Sequence, residues 1–406
     1  MISLSSAQSL LACCLVLMTG RFMTNKIQFL SRYSIPESII GGLSFAILNQ
    51  LLISFFNTQV NLEITIKPNL LLMFFGCIGL TANLKLLNKG GTKLIGLVIV
   101  LLPFLIFQNI VGLLLANILD MHPLMGLLGG TITLVGGHGT GAAYAVRFAD
   151  VNSLQDIMAL AMTSATMGLI FGGVLGGPVA EWLINHYNIT TPYKNGETNK
   201  EIIEENENIE NNIFQYDETS SASAFITSLC AALVTLVVGS YFTKLVEHCD
   251  LNLPNFLWCL AIGIIIRNIG PYLGLKLDDR VTGIVGAIML SIFLAMTMMT
   301  LDLASVVRLA GPLAIILIVQ AIFCVSYCCL IVFRVLRRDY EAAVISGAFC
   351  GIGLGTTATA IANMQSITKR HGNAPQSFIV VPITGAFLVD IMNVVVLTSF
   401  ISFYAI

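Results

Sequence analysis

The chain has 406 residues, 56% of them hydrophobic and only 10% charged. Soluble domains carry about 25% charged residues, so this chain cannot clothe a water-facing surface. A net charge of −2 also excludes the basic face that binding to nucleic acid requires.

The first apolar run, Leu4 to Gly20, has no basic residue ahead of it and no small-x-small cleavage site. It is therefore expected to be a membrane helix rather than a signal peptide. Five more runs follow in the first half, at 35–56, 69–87, 94–119, 124–146 and 154–186. The second half has six, at 222–246, 253–274, 281–301, 309–333, 342–364 and 375–405. Most approach the roughly 20 residues that a helix needs to cross a bilayer. Between the halves, 187–220 is rich in Glu and Asn and cannot bury enough apolar surface to fold alone. These features predict a first membrane repeat at 1–186, an acidic cytoplasmic linker at 187–220 and a second repeat at 221–406.

The halves resemble each other in order and spacing. Pro36 pairs with Pro254, Thr81 with Thr300, and the stretch around Gly137 with that around Gly353, at offsets of 218, 219 and 216 residues. Internal repeats of this kind mark secondary transporters. Charge then selects a topology. If 124–146 and 342–364 are re-entrant, both termini lie outside and the 20 Lys and Arg divide 16 inside to 4 outside. If both runs cross fully, the best division is 11 to 9. The positive-inside rule prefers the first arrangement. The expected fold is an all-α polytopic membrane protein of two inverted-topology repeats, each with five transmembrane helices and one re-entrant glycine-rich hairpin.

Irregular backbone survives at membrane depth only where protein covers it or it lines a wet cavity. The two glycine-rich stretches are therefore the candidate site. Gly137, His138, Gly139 and Thr140 belong to the first, and Gly353, Gly355, Thr356 and Thr357 to the second. Helix N-termini at such tips offer N–H groups and a positive dipole end to a carboxylate. Freed carbonyl and hydroxyl oxygens suit a hard cation such as sodium. His138 is a donor to an anion or a packing residue. Asp390 is the one carboxylate near the middle of an apolar run, and is expected to ligate sodium, carry a proton or fill a structural role. Asn393, Asn363 and Thr359 are neutral candidate ligands for the cation. Arg267 and Arg147, near segment ends, are candidate partners for a second carboxylate or ordinary interfacial anchors.

The ten cysteines form no CxxC or Cys/His zinc spacing. Cys324, Cys328 and Cys329 fall on helical spacing and read as small fillers of the membrane core. The chain has no GxxxxGK[ST], HExxH or GxSxG pattern, which leaves ATP-driven pumping and membrane-embedded hydrolysis without support. An enzyme is not expected, nor any cofactor beyond a coupling ion.

GGHGTGAA at 136–143, GLGTTATAIANMQSITKRHG at 353–372 and VVPITGAFLVDIMN at 380–393 resemble the bacterial sodium/glutamate symporters. The resemblance covers nearly the whole chain. It implies electrogenic uptake of glutamate with sodium across the inner membrane. It also implies kinship with the citrate/sodium symporter fold, a homodimer with a scaffold and a mobile, elevator-like domain. The family's re-entrant glycine loops fall here on Gly136 to Gly141 and Gly351 to Gly355. The linker at 187–220 looks longer than a usual member's. Rival readings are symport of another dicarboxylate or hydroxy acid, coupling to protons, and a channel.

Overall fold

Backbone surrounded by apolar side chains has no water to bond, so it satisfies its N–H and C=O groups along its own helix. The apolar runs accordingly become helices. The computed structural model describes residues 2–27, 36–58, 60–85, 91–149, 157–192, 222–246, 255–300 and 303–403. Most of the expected linker, from 193 onward, lies outside the described residues.

In the first half α1 is Ser6–Lys26, α2 Glu37–Phe56, α3 Lys67–Thr81 and α4 Gly91–Ile118. The run expected at 124–146 is broken. Helix α5, Pro123–Leu127, widens into a π turn at Leu128–Ile132, and α6, Gly137–Ala149, begins after a gap. Helix α7 is Ile157–His186. In the second half α8 is Ala222–Val246, α9 Asn255–Ile269, α10 Asp279–Met299 and α11 Leu303–Tyr327. The run at 342–364 also splits, into α12, Tyr340–Leu354, and α13, Thr357–His371. Helix α14, Pro375–Ile383, passes through a π turn at Thr384–Leu388 into α15, Val389–Phe403. A two-residue parallel pairing of Ile2–Ser3 with Val60–Asn61 is the one departure from all-α structure among the described residues.

Among the described residues eight helical spans are long and apolar enough to cross a membrane, α9 counting with its continuation to Leu273 and α11 with its continuation to Val335. Their outward faces are apolar: Leu11, Met18, Phe55, Ile118, Ile226 and Val237 are each at least 60% exposed. A water-soluble surface does not present such residues in bulk, whereas lipid accepts them. The interior is mostly apolar too, but it also buries polar side chains: Gln108, Asn109 and Gln320 are fully buried and Asn393 is 1% exposed.

The chain forms two compact units. The first is Met1–Ala82, Ala145–Met162 and Ser220–Gly311; the second is Asn83–Tyr144, Thr163–Thr219 and Pro312–Ile406. Each therefore draws on both halves of the sequence. In the first unit α3 crosses α9 on small residues. A methyl group placed on Gly79 would lie 2.9 Å from the Gly263 Cα, so the two backbones touch, the usual way for helices to pack in lipid. Met73, Cys77 and Leu80 of α3 then meet Ala231 and Ala232 of α8 and Val285 of α10 in one apolar core.

In the second unit α12 and α13 run back along each other. A methyl on Gly351 would lie 2.5 Å from the Ala360 amide nitrogen, and one on Gly347 would lie 2.9 Å from Ile367 Cδ1. The far ends of the pair are also joined, because the Tyr340 hydroxyl donates to the Gly372 carbonyl at 2.6 Å. Residues 340–372 thus leave and return at one end. Asp339 caps α12 by accepting from the Ala342 amide at 2.7 Å and pairs with Lys93 at 2.6 Å.

Candidate functional site

The second unit contains both helix breaks, and each has a local cause. At the first, Gly130 leaves helical geometry (φ −99°, ψ −135°) and Gly137 takes φ +63°, a left-handed conformation that L side chains adopt only at a cost. Helix α6 then starts, pointing the N–H groups of its first turn out of the break. His138 and Thr140 of that turn are buried, and His138 Nε2 lies 3.1 Å from the Thr166 hydroxyl of α7.

At the second break Thr356 caps α13. Its hydroxyl accepts from the Thr359 amide at 3.4 Å, and the Thr359 hydroxyl accepts from the Thr356 amide at 3.0 Å. This reciprocal box holds the first turn open-ended. The Thr357 hydroxyl donates to the Gly385 carbonyl at 2.9 Å, tying the break to the π turn that precedes Asp390.

The two breaks are neighbours. A methyl on Gly137 would lie 3.8 Å from Thr356 Cγ2. Gly168 of α7 sits between them, close to both the Leu354 carbonyl and Leu134. Two helix N-termini, those of α6 and α13, therefore come together beside α7. Gly137, His138, Gly139 and Thr140 are gathered there with Gly353, Gly355, Thr356 and Thr357. Thr356 and Thr357 are half-buried, and Ala358 beside them is exposed.

The candidate cation ligands divide by what they already do. The Thr359 hydroxyl lies 2.7 Å from the Thr356 carbonyl and 3.0 Å from that of Gly351, so its hydrogen is spent inside the hairpin. The Asn363 amide donates to the Gly172 carbonyl at 2.8 Å and fastens α13 to α7. Asn393 donates to the Thr131 carbonyl at 3.0 Å, but its own side-chain oxygen is buried without a partner. Asp390 is half-buried one turn before Asn393 and has no ion-pair partner among the described residues. Arg267 lies in the first unit, where it pairs with Asp279 at 2.7 Å and donates to the Leu277 carbonyl at 3.3 Å.

Behind the breaks runs a chain of amides that residue-type reasoning missed. Asn109 accepts from both the backbone amide and the hydroxyl of Thr131, at 3.3 and 3.0 Å. Gln108 donates to the Gly353 carbonyl at 3.0 Å, and Gln320 to the Gln108 carbonyl at 2.8 Å. These bonds hold both breaks from one side. They also leave the side-chain oxygens of Gln108, Gln320 and Asn393 and the side-chain nitrogen of Asn109 buried without a protein partner, polar atoms of the kind that buried water satisfies. The available signal was a Gln-Asn pair inside an otherwise apolar run, since polar residues there are costly and face inward.

Membrane-length helices, an apolar exterior and buried polar side chains beside two helix breaks define a polytopic α-helical membrane protein. Residues 2–373 match the family described as sodium/glutamate symporter, and the chain belongs to that family. The sodium/glutamate symporters of Escherichia coli K12 and Shigella flexneri are each 37% identical to it over 405 residues, covering 99% of this chain and 98% of theirs. That of Haemophilus influenzae is 37% identical over 396 residues, 97% of this chain and 96% of its own.

Proposed function

We propose that this protein imports glutamate together with sodium across the bacterial inner membrane, and that cargo and ion bind where the two broken helices meet. The observation that carries the reading is the juxtaposition of the α6 and α13 N-termini in the unit that also holds Asp390. The named activity of the relatives supplies the cargo. Glutamate brings two carboxylates, and a helix N-terminus is a ready acceptor for each. Sodium needs oxygens, which Asp390, Asn393 and the carbonyls freed at the breaks offer. Either charge alone is expensive to confine at membrane depth; together they offset each other. Binding of one therefore favours binding of the other, which is the basis of symport.

Transport follows by alternating access. The inverted repeats bring one glycine-rich hairpin from each face, and the closed ends of the 340–372 pair support re-entry from a single side. Elevator-like movement of the unit bearing the breaks, within a homodimer, fits kinship with the citrate/sodium symporters. The membrane potential adds about 2.3 kcal/mol per net charge per 100 mV. Reconstituted into vesicles, the protein is expected to accumulate labelled glutamate when only a sodium gradient is imposed. Accumulation driven by a proton gradient without sodium would instead assign Asp390 a proton-carrying role and overturn sodium coupling.

The same reading places both termini outside and the 187–220 linker in the cytoplasm. Tags at either terminus are expected to react with an impermeant label in intact spheroplasts, while a tag in the linker reacts only after lysis. Termini on opposite sides would sink the five-plus-five inverted topology.

A further inference from the structure

Beneath the second break lies a cluster of thiols that the transport reading does not use. Cys324 and Cys328 stand one turn apart on α11 and the π turn that extends it, and Cys350 comes from α12. All three are fully buried, and their sulfurs lie within 4.8 Å of one another, with Cys328 and Cys350 only 3.5 Å apart. Pairing on one helix follows from an i, i+4 spacing and is often mere packing. A third sulfur delivered from another helix to the same point is a different matter, because it completes a triangle.

The dimensions fit a ligand set. Metal–thiolate bonds of about 2.3 Å in a trigonal plane place the sulfurs about 4 Å apart, which is within the span observed. No His or carboxylate joins the group among the described residues, so a fourth ligand for tetrahedral zinc is missing. Three sulfurs in an apolar surround select a soft ion instead. Phe104 packs against both Tyr327 and Phe349, the sequence neighbours of Cys328 and Cys350, at 5.2 and 5.0 Å between ring centres, and all three cysteines are 0% exposed. The cluster also touches the break, since a methyl on Gly353 would lie 3.1 Å from the Cys324 sulfur.

We propose that Cys324, Cys328 and Cys350 form a three-coordinate thiolate site for a soft d10 cation, with Cu(I) the ion whose coordination chemistry fits it. Each thiol that ligates gives up its proton to water, so binding releases protons and strengthens as pH rises. A bound ion would pin α12, the first arm of the hairpin, to α11. The test uses full-length purified protein, fully reduced, with the exposed Cys14 and Cys230 replaced by Ser to remove surface thiols. Anaerobic titration with Cu(I) against a chromogenic chelator is expected to leave one copper per chain, with three sulfur neighbours by X-ray absorption. Cys350→Ala should bind at least tenfold more weakly, or fall to two sulfurs. If that variant aggregates on size exclusion, Cys324→Ser makes the same comparison. Copper retained equally by both variants, or retained only when Cys14 and Cys230 are present, would overturn the site.

Discussion

Gly137→Val is expected to abolish sodium-driven glutamate uptake while leaving the protein in the membrane. Position 137 holds φ +63°, and an L residue in that conformation costs about 1–2 kcal/mol, more when β-branched. The space is not the obstacle, because the nearest atom to an added methyl is 3.8 Å away. The cost falls on the backbone that aims the first turn of α6, and the break is expected to relax toward a regular, misdirected helix. Gly137→Ala should lose roughly tenfold in uptake, matching about 1.4 kcal/mol, and Gly137→Val more than about a hundredfold on the same scale. Gly91 supplies the control. It too has a left-handed φ, +59°, with open space around it, but it opens α4, away from both breaks in the chain. Gly91→Ala should therefore fold and transport almost normally. Uptake is to be measured in vesicles and normalised to inserted protein; full activity in Gly137→Val would remove the α6 N-terminus from the substrate site.

The breaks were legible in the sequence because their cause is local. A helix interrupted at membrane depth needs glycine for the turn and short polar side chains for the cap, and GGHGTG and GLGTT announce both. What holds the breaks was not legible. Gln108 reaches Gly353 across 245 residues of chain, and Asn393 reaches Thr131 across 262. The sequence shows a polar residue in a greasy run, but no pattern within one helix says which distant carbonyl it serves. Thr359 is the local counterpart: its residue type suits a cation, and its hydroxyl also closes a cap and donates toward carbonyls of its own hairpin, a role that the residue type alone does not reveal. Arg267 read as an interfacial anchor more readily than as a carboxylate ligand; its ion pair with Asp279 in the first unit depends on how α9 and α10 are brought together. The cysteines follow the same rule, with Cys324 and Cys328 visible as a helical pair and Cys350 supplied only by the packing of α12.

Asp390→Asn is expected to uncouple uptake from sodium. The substitution keeps the shape and removes the charge, so the fold should survive. Asp390 has no ion-pair partner among the described residues, and an unpaired carboxylate in an apolar segment is costly to retain without a function. None of the other candidate ligands carries a charge: the Thr359 hydroxyl and the Asn363 side-chain amide donate to carbonyls, and Asn393 offers one neutral oxygen. Losing the only formal negative charge in this set should raise the half-saturating sodium concentration by at least about tenfold, or about 1.4 kcal/mol of ion binding. Because glutamate and sodium stabilise each other in the site, the apparent affinity for glutamate at fixed sodium should fall as well, and recover at high sodium. Asp390→Glu, which keeps the charge but moves it, should raise the sodium requirement without abolishing it. The discriminating measurement is glutamate uptake across a sodium series at two external pH values. A variant with unchanged sodium dependence but lost pH dependence would make Asp390 a proton carrier, and would move the sodium ligands to the buried oxygens of Gln108, Gln320 and Asn393. Those oxygens lie behind the same two breaks, so the substrate site would stand while the coupling ion changed its address.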